Sequence, residues 1–290
     1  MEKILEVKNL TKYYGKALGV KEISFTLNKG EVFGFIGPNG AGKSTTIRSI
    51  MNLINKTSGE VYFRGKKLEK NNIYQKQEIG YLPSEIHLYE DMTVKEILDY
   101  HESFYNINVH NKRCELVKRL KVDEKKKIEE LSLGNMKKVG IILALMHSPK
   151  LLILDEATSG LDPVMQEEFY KLIKEEKEKG TTIFYSTHIL NEISKICDRV
   201  GIIRNGHLLK IETMEDLKEK ELTFVTIVSN EIEKIEKELN MIPIEKAKDM
   251  IKIKNTLEIN KLIKILGKHK IEKLFIEQAT IEDIFLHYYK

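Results

Sequence analysis

Residues 37–45 have the sequence Gly37-Pro38-Asn39-Gly40-Ala41-Gly42-Lys43-Ser44-Thr45. The stretch fits the pattern G-x-x-x-x-G-K-[S/T], and it follows an apolar run, Val32–Ile36, that predicts a β-strand. A helical pattern begins at Ser44, so the glycines occupy a strand-to-helix turn. In such a turn successive backbone N–H groups point at one phosphate, and the start of the helix adds positive charge. We therefore predict a nucleoside triphosphate site in which Lys43 faces the β- and γ-phosphates and Ser44 binds Mg²⁺.

Short β-rich runs alternate with helical patterns on both sides of this loop, as far as about Met214. This alternation predicts an α/β fold with a parallel sheet that is covered on both faces. A hairpin turn is expected at Asn205-Gly206. The predicted strands are Ile4–Val7, Ile23–Leu27, Val32–Ile36, Ile79–Leu82, Leu151–Leu154, Thr181–Tyr185 and Val200–Arg204. The predicted helices are Ser44–Ile54, Val94–Phe104, Met136–Met146, Gln166–Lys179 and Ile189–Cys197.

The composition excludes several classes of protein. The 290 residues carry 48 Lys+Arg and 44 Asp+Glu, a net charge of +4, which is too small for a dedicated nucleic-acid binder. Two cysteines cannot build a disulfide framework or a four-cysteine zinc site. The longest apolar run, Val139–Met146, is far shorter than the roughly 20 residues that span a bilayer. We expect a soluble protein of a reducing compartment.

Two carboxylates follow one of the predicted buried strands. Leu151–Leu154 ends in Asp155-Glu156, and the carboxyl ends of parallel strands meet at the edge where the phosphate loop also lies. Asp155 is expected to hold Mg²⁺ through its water shell, and Glu156 to act as the general base that activates water. His188 follows Thr181–Tyr185 at a third strand end, which predicts a contact with the γ-phosphate.

A second polar helix start occurs at Leu131-Ser132-Leu133-Gly134. Ser132 and the N–H of Gly134 form a second anion-binding cap on one interpretation and a simple helix N-cap on the other. Periodicity alone favours the simple cap. A second phosphate-binding helix start is useful only if it serves the nucleotide of another subunit.

The tail is built differently from the rest of the chain. Sixteen of the seventeen glycines lie at or before Gly206, and only Gly267 follows. We therefore predict two domains, residues 1–215 and residues 216–290, the second a small α+β accessory domain. Its predicted strands are Leu222–Val228, Ile251–Ile253 and Ile271–Ile276, and its predicted helices are Ile232–Leu239, Leu257–Leu266 and Ile281–Tyr289.

The ordered set of motifs resembles the ATP-binding subunit of an ABC transporter over roughly residues 1–215. The set consists of the phosphate loop, Leu131–Gly134, Asp155-Glu156, Ser159-Gly160-Leu161-Asp162 and His188. This resemblance implies a P-loop ABC ATPase with a parallel-sheet core, an antiparallel β region and a helical subdomain, together with the small α+β C-terminal domain.

The resemblance also implies roles for residues outside the phosphate loop. Leu10–Gly15 is similar to the family's aromatic loop, so Tyr14 is expected to stack on adenine, with Tyr13 as the second choice. Ser159–Asp162 resembles the loop that crosses to the partner subunit, which gives Asp162 a part in the site. Residues Ala279–Phe285 and the tail are similar to those of ATPases that serve ABC-2 exporters of antibiotics and peptides.

The family implies a mechanism with several partners. Two chains, either two copies of this one or this chain with a homologous ATPase, form a head-to-tail dimer around two ATP molecules with Mg²⁺. Each ATP meets Lys43 of one chain and Ser132 with Gly134 of the other. A separate transmembrane permease is expected to place a helix against Ser84–Asp91. The chain is then cytoplasmic and peripheral on the inner face of the cell membrane, and no nucleic acid is involved.

The sequence departs from the family pattern at two places. Leu133 and Asn135 replace the usual Gly and Gln of the signature loop, while Ser132 and Gly134 remain. Ser84 stands where the family commonly has a glutamine that links Mg²⁺ and the attacking water to the membrane subunit. A serine is shorter and acts only through water. We expect Ser84 or Glu85 to substitute in part, with weaker hydrolysis or looser coupling.

Three rival functions use the same phosphate loop. A GTPase requires N-K-x-D, and Asn55-Lys56-Thr57-Ser58 lacks the aspartate. A small-molecule kinase gives no reason for a second phosphate cap. The strongest alternative is a soluble ABC ATPase that acts on nucleic acid or ribosomes. Such proteins usually carry two cassettes or a long coiled-coil insertion, and this chain has neither.

Overall fold

The computed structural model describes residues 2–219, 223–255 and 257–278. The chain divides into two compact units, Met1–Met214 and Glu215–Lys290. The predicted helix Ile281–Tyr289 and the exporter-like segment Ala279–Phe285 lie outside the described residues. Within the described part, no helix is both long enough and apolar enough to cross a membrane.

The first unit alternates strands and helices as the sequence predicts. Its described strands are β1 Lys3–Tyr14, β2 Ala17–Asn28, β3 Val32–Ile36, β4 Ser58–Phe63, β5 Lys66–Lys67, β6 Ile79–Leu82, β7 Leu151–Asp155, β8 Thr182–Thr187, β9 Arg199–Arg204 and β10 His207–Thr213. Its described helices are α1 Lys43–Ile50, α2 Ile73–Gln77, α3 Val94–Glu102, α4 His110–Leu120, α5 Leu133–Leu145, α6 Pro163–Glu178 and α7 Leu190–Ile196, and α8 Met214–Glu219 follows β10.

The larger sheet has six strands in the order β10-β9-β3-β8-β7-β6. Strands β9, β3, β8, β7 and β6 are parallel, and β10 is antiparallel to β9 through the hairpin at Asn205-Gly206. Every residue of β3, β7 and β8 is buried, which is why β3 and residues 151–154 of β7 are continuously apolar. The predicted parallel sheet and hairpin are confirmed. The loops that leave β3, β6, β7 and β8 gather at one edge of this sheet.

The smaller sheet of this unit is antiparallel, with the order β2-β1-β4-β5. Its apolar face shares one core with the parallel sheet. Phe25 of β2 stacks on Phe33 of β3, with ring centroids 5.3 Å apart, and on Phe184 of β8 at 5.4 Å. These rings fix the antiparallel sheet against the strands that carry the phosphate loop.

Four elements of the first unit are absent from the prediction, namely β4, β5, α2 and α4. Strand β4 is not predicted because Gly59 interrupts it and only Val61 and Phe63 alternate as buried apolar residues. Helix α4 was not expected because its sequence is highly charged. One of its buried positions is Arg113, whose guanidinium pairs with Asp99, Glu102 and Glu124. Because a charged residue takes one of the buried positions, the sequence of this helix lacks the regular spacing of apolar residues that predicts a helix.

The second unit is a four-stranded antiparallel sheet with two helices. The strand order is β12-β13-β11-β14, and the helices place their apolar residues over the central strands, on Val225, Ile227, Ile251 and Ile253. Both helices are amphipathic, so one face is sufficient to build this core. The described elements are β11 Thr223–Val228, α9 Ile232–Leu239, β12 Pro243–Lys246, β13 Met250–Asn255, α10 Ile259–Leu266 and β14 Lys273–Gln278.

Candidate nucleotide site

The phosphate loop connects β3 to α1, the position that the sequence predicts. Helix α1 begins at Lys43, one residue earlier than expected, and Gly42 is its N-cap. Gly42 has a φ of +106°, and a Cβ there would lie 2.6 Å from Cγ1 of Val20. A side chain at this position would therefore be strained and would also clash. Glycine allows the backbone to turn sharply into the helix, so the first N–H groups of α1 face the cavity described below.

Lys43 is buried at the base of the loop, with 5% of its side chain exposed. Its Nζ donates to the carbonyl oxygens of Gly37 at 2.8 Å and Pro38 at 3.2 Å, and it lies 3.7 Å from Oε1 of Glu156. Burial lowers the pKa of Lys43, while the charges of Glu156 and Asp155 oppose this shift. The ammonium group is thus already desolvated and directed toward the loop that would hold a phosphate.

Asp155 ends β7 and is completely buried. Neither of its carboxylate oxygens has a hydrogen-bond partner among the described residues. Burial raises the pKa of Asp155, although the nearby hydroxyls of Ser44 and Ser186 and the charge of Lys43 act in the opposite direction. A buried carboxylate without a hydrogen bond is costly, and a cation compensates for that cost.

The residues around Asp155 fit Mg²⁺. In the described part of the chain, no group of three or more His, Cys, Asp and Glu side chains could hold a metal ion. Mg²⁺ commonly binds one or two protein oxygens and takes its other ligands from phosphates and water. Ser44 and Asp155 provide a hydroxyl and a carboxylate of that kind.

Glu156 lies between a lysine and a histidine. Its Oε1 is 3.7 Å from Nζ of Lys43 and 3.2 Å from Nδ1 of His188. The backbone of Glu156 has a φ of +49°, which is unusual for a residue with a side chain, and its N–H donates to the carbonyl oxygen of Ser186 at 3.0 Å. Strained backbone of this kind often occurs at functional sites, where the surrounding structure holds it in place. The three residues that the sequence predicts at strand ends, Asp155, Glu156 and His188, are therefore brought together.

The second helix start caps α5. The Oγ of Ser132 accepts a hydrogen bond from the N–H of Asn135 at 3.4 Å, so Ser132 acts as an ordinary N-cap in this structure. A Cβ on Gly134 would lie 2.7 Å from the carbonyl oxygen of Gly160, so the start of α5 touches the loop before α6. Asp162 caps α6 and accepts from the N–H of Met165 at 3.0 Å. The two polar helix starts are thus neighbours.

One cavity of about 590 Å³ joins most of the predicted residues. Tyr14, at the end of β1, lines this cavity and is half exposed, and Nζ of Lys12 lies 4.9 Å from the centroid of its ring. The predicted site residues outside the lining are Gly37, Pro38, Ala41, Ser132, Gly134, Asp155, Asp162 and His188. The lining residues are Tyr14, Leu18, Gly19, Asn39, Gly40, Gly42, Lys43, Ser44, Thr45, Ser84, Glu85, Leu133, Lys137, Glu156 and Ser159.

Sequence reasoning missed the position of Lys137. This side chain is 1% exposed, and its Nζ donates to the carbonyl oxygen of Ser84 at 2.9 Å. The sequence shows two adjacent lysines, Lys137 and Lys138, and the helical pattern alone does not indicate which of them faces the cavity.

Sequence reasoning also missed Glu192, on α7. Its buried carboxylate accepts hydrogen bonds from four hydroxyls, those of Thr158, Tyr170, Tyr185 and Thr187. Thr158 precedes the loop before α6, and Thr187 precedes His188, so one side chain joins two segments of the site. Because two of the four hydroxyls, those of Thr158 and Tyr170, lie 34 and 22 residues from Glu192, no local pattern identifies the whole cluster.

Comparisons with known proteins agree with these features. A family model described as ABC transporter matches residues 20–159. The linearmycin resistance ATP-binding protein LnrL of Bacillus subtilis (strain 168) is 40% identical over 219 residues, which cover 74% of this chain and 70% of that relative. The bacitracin transport ATP-binding protein BcrA of Bacillus licheniformis is 33% identical over 297 residues, which cover 99% of this chain and 97% of the relative.

A solved structure gives the same result. A bacterial ABC transporter cassette, determined as a dimer, is 25% identical with a TM-score of 0.67, and the match covers 73% of this chain and 99% of that one. The resemblance predicted from the ordered motifs is confirmed, and so is the predicted class of fold. The chain belongs to the ABC transporter family as an ATP-binding protein, and it is an ATPase.

Proposed function

We propose that this chain hydrolyses ATP to power an exporter whose membrane path is formed by a separate permease. The observation that carries this proposal is the 33% identity to the bacitracin transport ATP-binding protein over 99% of the chain, which includes the second unit. The name of the linearmycin resistance relative also fits removal of a toxic compound from the cell. The chain would then act in the cytoplasm, on the inner face of the cell membrane.

The triphosphate would lie along the cavity from Tyr14 to Glu156. Tyr14 would stack on adenine, and the N–H groups of residues 39–45 would surround the phosphates. Lys43 would exchange its bonds to the loop carbonyls for contacts with the β- and γ-phosphates. This exchange is favourable because an ammonium group bonds an anion more strongly than a neutral carbonyl.

Glu156 would act as the general base. Its carboxylate is held at the end of β7 and is partly exposed, so it can reach a water molecule beside the terminal phosphate. His188, 3.2 Å from that carboxylate, would donate to the terminal phosphate and fix its position relative to the water. When bound by Ser44 and Asp155, Mg²⁺ would neutralise negative charge on the phosphates.

The site would be completed by a second chain. Ser132 is exposed at the start of the 13-residue helix α5, where backbone N–H groups and the helix dipole favour an anion. Ser132 and Gly134 of one copy would bind the γ-phosphate held by Lys43 of the other, with Asp162 at the same interface. ATP would thereby join the two copies, and hydrolysis would release them. The dimeric form of the related cassette supports this arrangement.

The permease would bind beside the segment Ser84–Asp91. Three aromatic side chains, Tyr89, Tyr100 and Phe104, are exposed there, and Tyr100 contacts each of the other two edge to face. They line a groove of about 460 Å³. Exposed apolar clusters of this kind mark protein-binding surfaces, and the groove would accept a short helix of the permease. Ser84, at the start of the segment, would report the state of the nucleotide to it.

The proposal is tested with the variant Glu156→Gln, which keeps the shape of the side chain and removes the base. With Mg²⁺ and ATP we expect a stable dimer that barely hydrolyses ATP, measured by light scattering and phosphate release. A variant with normal turnover would exclude Glu156 as the base.

The partner is tested by purifying the tagged, trapped variant from detergent-solubilised membranes. Recovery of a multi-helix membrane protein supports the exporter. Recovery of ribosomes or nucleic acid instead would support the soluble ABC ATPase and overturn the proposal.

A further inference from the structure

Lys137 is a buried cation in the wall of the nucleotide cavity. It lies in the second turn of α5, away from the phosphate loop in sequence, and lines the same cavity as Lys43, Ser84 and Glu156. Its Nζ donates to the carbonyl oxygens of Ser84 at 2.9 Å and Pro83 at 3.4 Å. The side chain therefore connects α5 to the loop that follows β6.

The contacts of Lys137 do not fully compensate its charge. Burial lowers the pKa of Lys137, and the charges of Asp155 and Glu156 oppose this shift only in part. An ammonium group has three N–H donors. Over residues 2–219, 223–255 and 257–278, the acceptors of this ammonium group are the carbonyls of Pro83 and Ser84, which leaves one N–H for a ligand.

The charges of the side chains around Lys137 also favour the binding of an additional anion beside it. Lys43 and Lys137 balance Asp155 and Glu156, so the four side chains together are neutral. A nucleoside triphosphate brings several negative charges, and those of the terminal phosphate lie farthest from adenine. Because Lys137 lines the same cavity as Lys43 and Glu156, it belongs to the end of the cavity where the terminal phosphate would react.

We infer that Lys137 is a second lysine contact for the terminal phosphate of the bound nucleoside triphosphate, and that it links this contact to the backbone at Pro83 and Ser84. The inference rests on the proposed position of the triphosphate between Tyr14 and Glu156. It makes Lys137 a residue that distinguishes ATP from ADP. Lys43 contacts the β-phosphate as well and cannot make that distinction to the same extent.

The test compares the affinities of the full chain for ATP and ADP. The background is Glu156→Gln, so that ATP is not consumed, and Mg²⁺ is present with either nucleotide in a calorimetric titration. Lys137→Met keeps the length of the side chain and removes the charge. We expect its affinity for ATP to fall about tenfold and its affinity for ADP to change less than about twofold, because one charged hydrogen bond is lost only with ATP.

Lys138→Met is the matched control. It removes the same charge one position away on α5, and within the described part of the chain Lys138 makes no hydrogen bond or ion pair. We expect both of its affinities to equal those of the background protein. Lys137→Gln provides a second variant if Lys137→Met does not fold, and circular dichroism of each variant checks folding.

Equal losses for ATP and ADP, or no loss for either, would overturn the inference and leave Lys137 a purely structural residue. An equal effect of Lys138→Met would overturn it too. These results differ from a failure of the proposed function, because in that case the background protein with Lys137 intact would itself not bind ATP or would not dimerise with it.

Discussion

Glu192 offers the most direct test of how the site is held together. The perturbation is Glu192→Leu, which removes the acceptor of four buried hydroxyls, those of Thr158, Tyr170, Tyr185 and Thr187. At about 1 kcal/mol for each hydroxyl left unsatisfied, the loss is about 4 kcal/mol. The variant no longer buries a carboxylate, which offsets about half of this loss. We expect the local stability around β8 to fall by about 2 kcal/mol.

The assay is hydrogen–deuterium exchange of the full chain, followed by mass spectrometry. A loss of about 2 kcal/mol corresponds to roughly 30-fold faster exchange in peptides that cover β8. Peptides from β13, in the second unit, provide an internal reference and are expected to exchange at the same rate. Asn191→Leu is the control, because Asn191 precedes Glu192 on α7 but is exposed.

The result that refutes the reasoning is exchange of β8 in Glu192→Leu that stays within about twofold of the unmodified chain. The hydroxyls would then satisfy one another or bind water, and the carboxylate would not be holding them. Glu192→Gln keeps one oxygen acceptor, so the exchange rate of β8 in this variant should lie between that of the unmodified chain and that of Glu192→Leu. If Asn191→Leu accelerates exchange equally, the effect belongs to α7 and not to the carboxylate.

Three further predictions concern the catalytic edge. Burial raises the pKa of Asp155, so the ionised carboxylate is less favourable in the folded protein than in the unfolded chain. Ionisation therefore destabilises the folded protein as the pH rises above 3.8, the ordinary pKa of this group in the unfolded chain. At pH 7 and without nucleotide, Asp155→Asn should therefore raise the free energy of unfolding by about 1 kcal/mol in thermal melts and abolish stabilisation by Mg²⁺ with ATP; a less stable variant would contradict this. Ser84→Gln should increase the ATPase rate and sharpen its dependence on Mg²⁺, and an unchanged rate would show that Ser84 has no such role. Gly134→Ala should lower the ATPase rate about tenfold, because the new Cβ meets the carbonyl oxygen of Gly160; a normal rate would show that the start of α5 moves freely.

The local sequence was sufficient to predict an element where a single segment contains the pattern that identifies it. Val32–Ile36 and Ile79–Leu82 were predicted with the bounds that the structure has, because short apolar runs next to turn residues identify buried strands. The edge that gathers the phosphate loop, Asp155, Glu156 and His188 followed from a general property of parallel sheets.

Sequence reasoning failed where a residue depends on distant partners. Arg113 is buried only because three carboxylates surround its guanidinium group, so the charged helix α4 was not predicted. Lys137 and Glu192 are similar cases. Lys137 contacts the backbone of Ser84, 53 residues away, and Glu192 contacts Thr158, 34 residues away. Residue type alone gives no information about such contacts.

The stack of Phe25, Phe33 and Phe184 has a consequence for how this ATPase changes shape. These rings merge the antiparallel sheet, which carries Tyr14, with the strands that carry the phosphate loop, so the adenine end and the phosphate end form one rigid block. Helices α3 and α4 lie outside that shared core, in the insertion between β6 and β7. We therefore expect any change of shape on nucleotide binding to be a movement of this insertion relative to the two sheets, which stay fixed to each other.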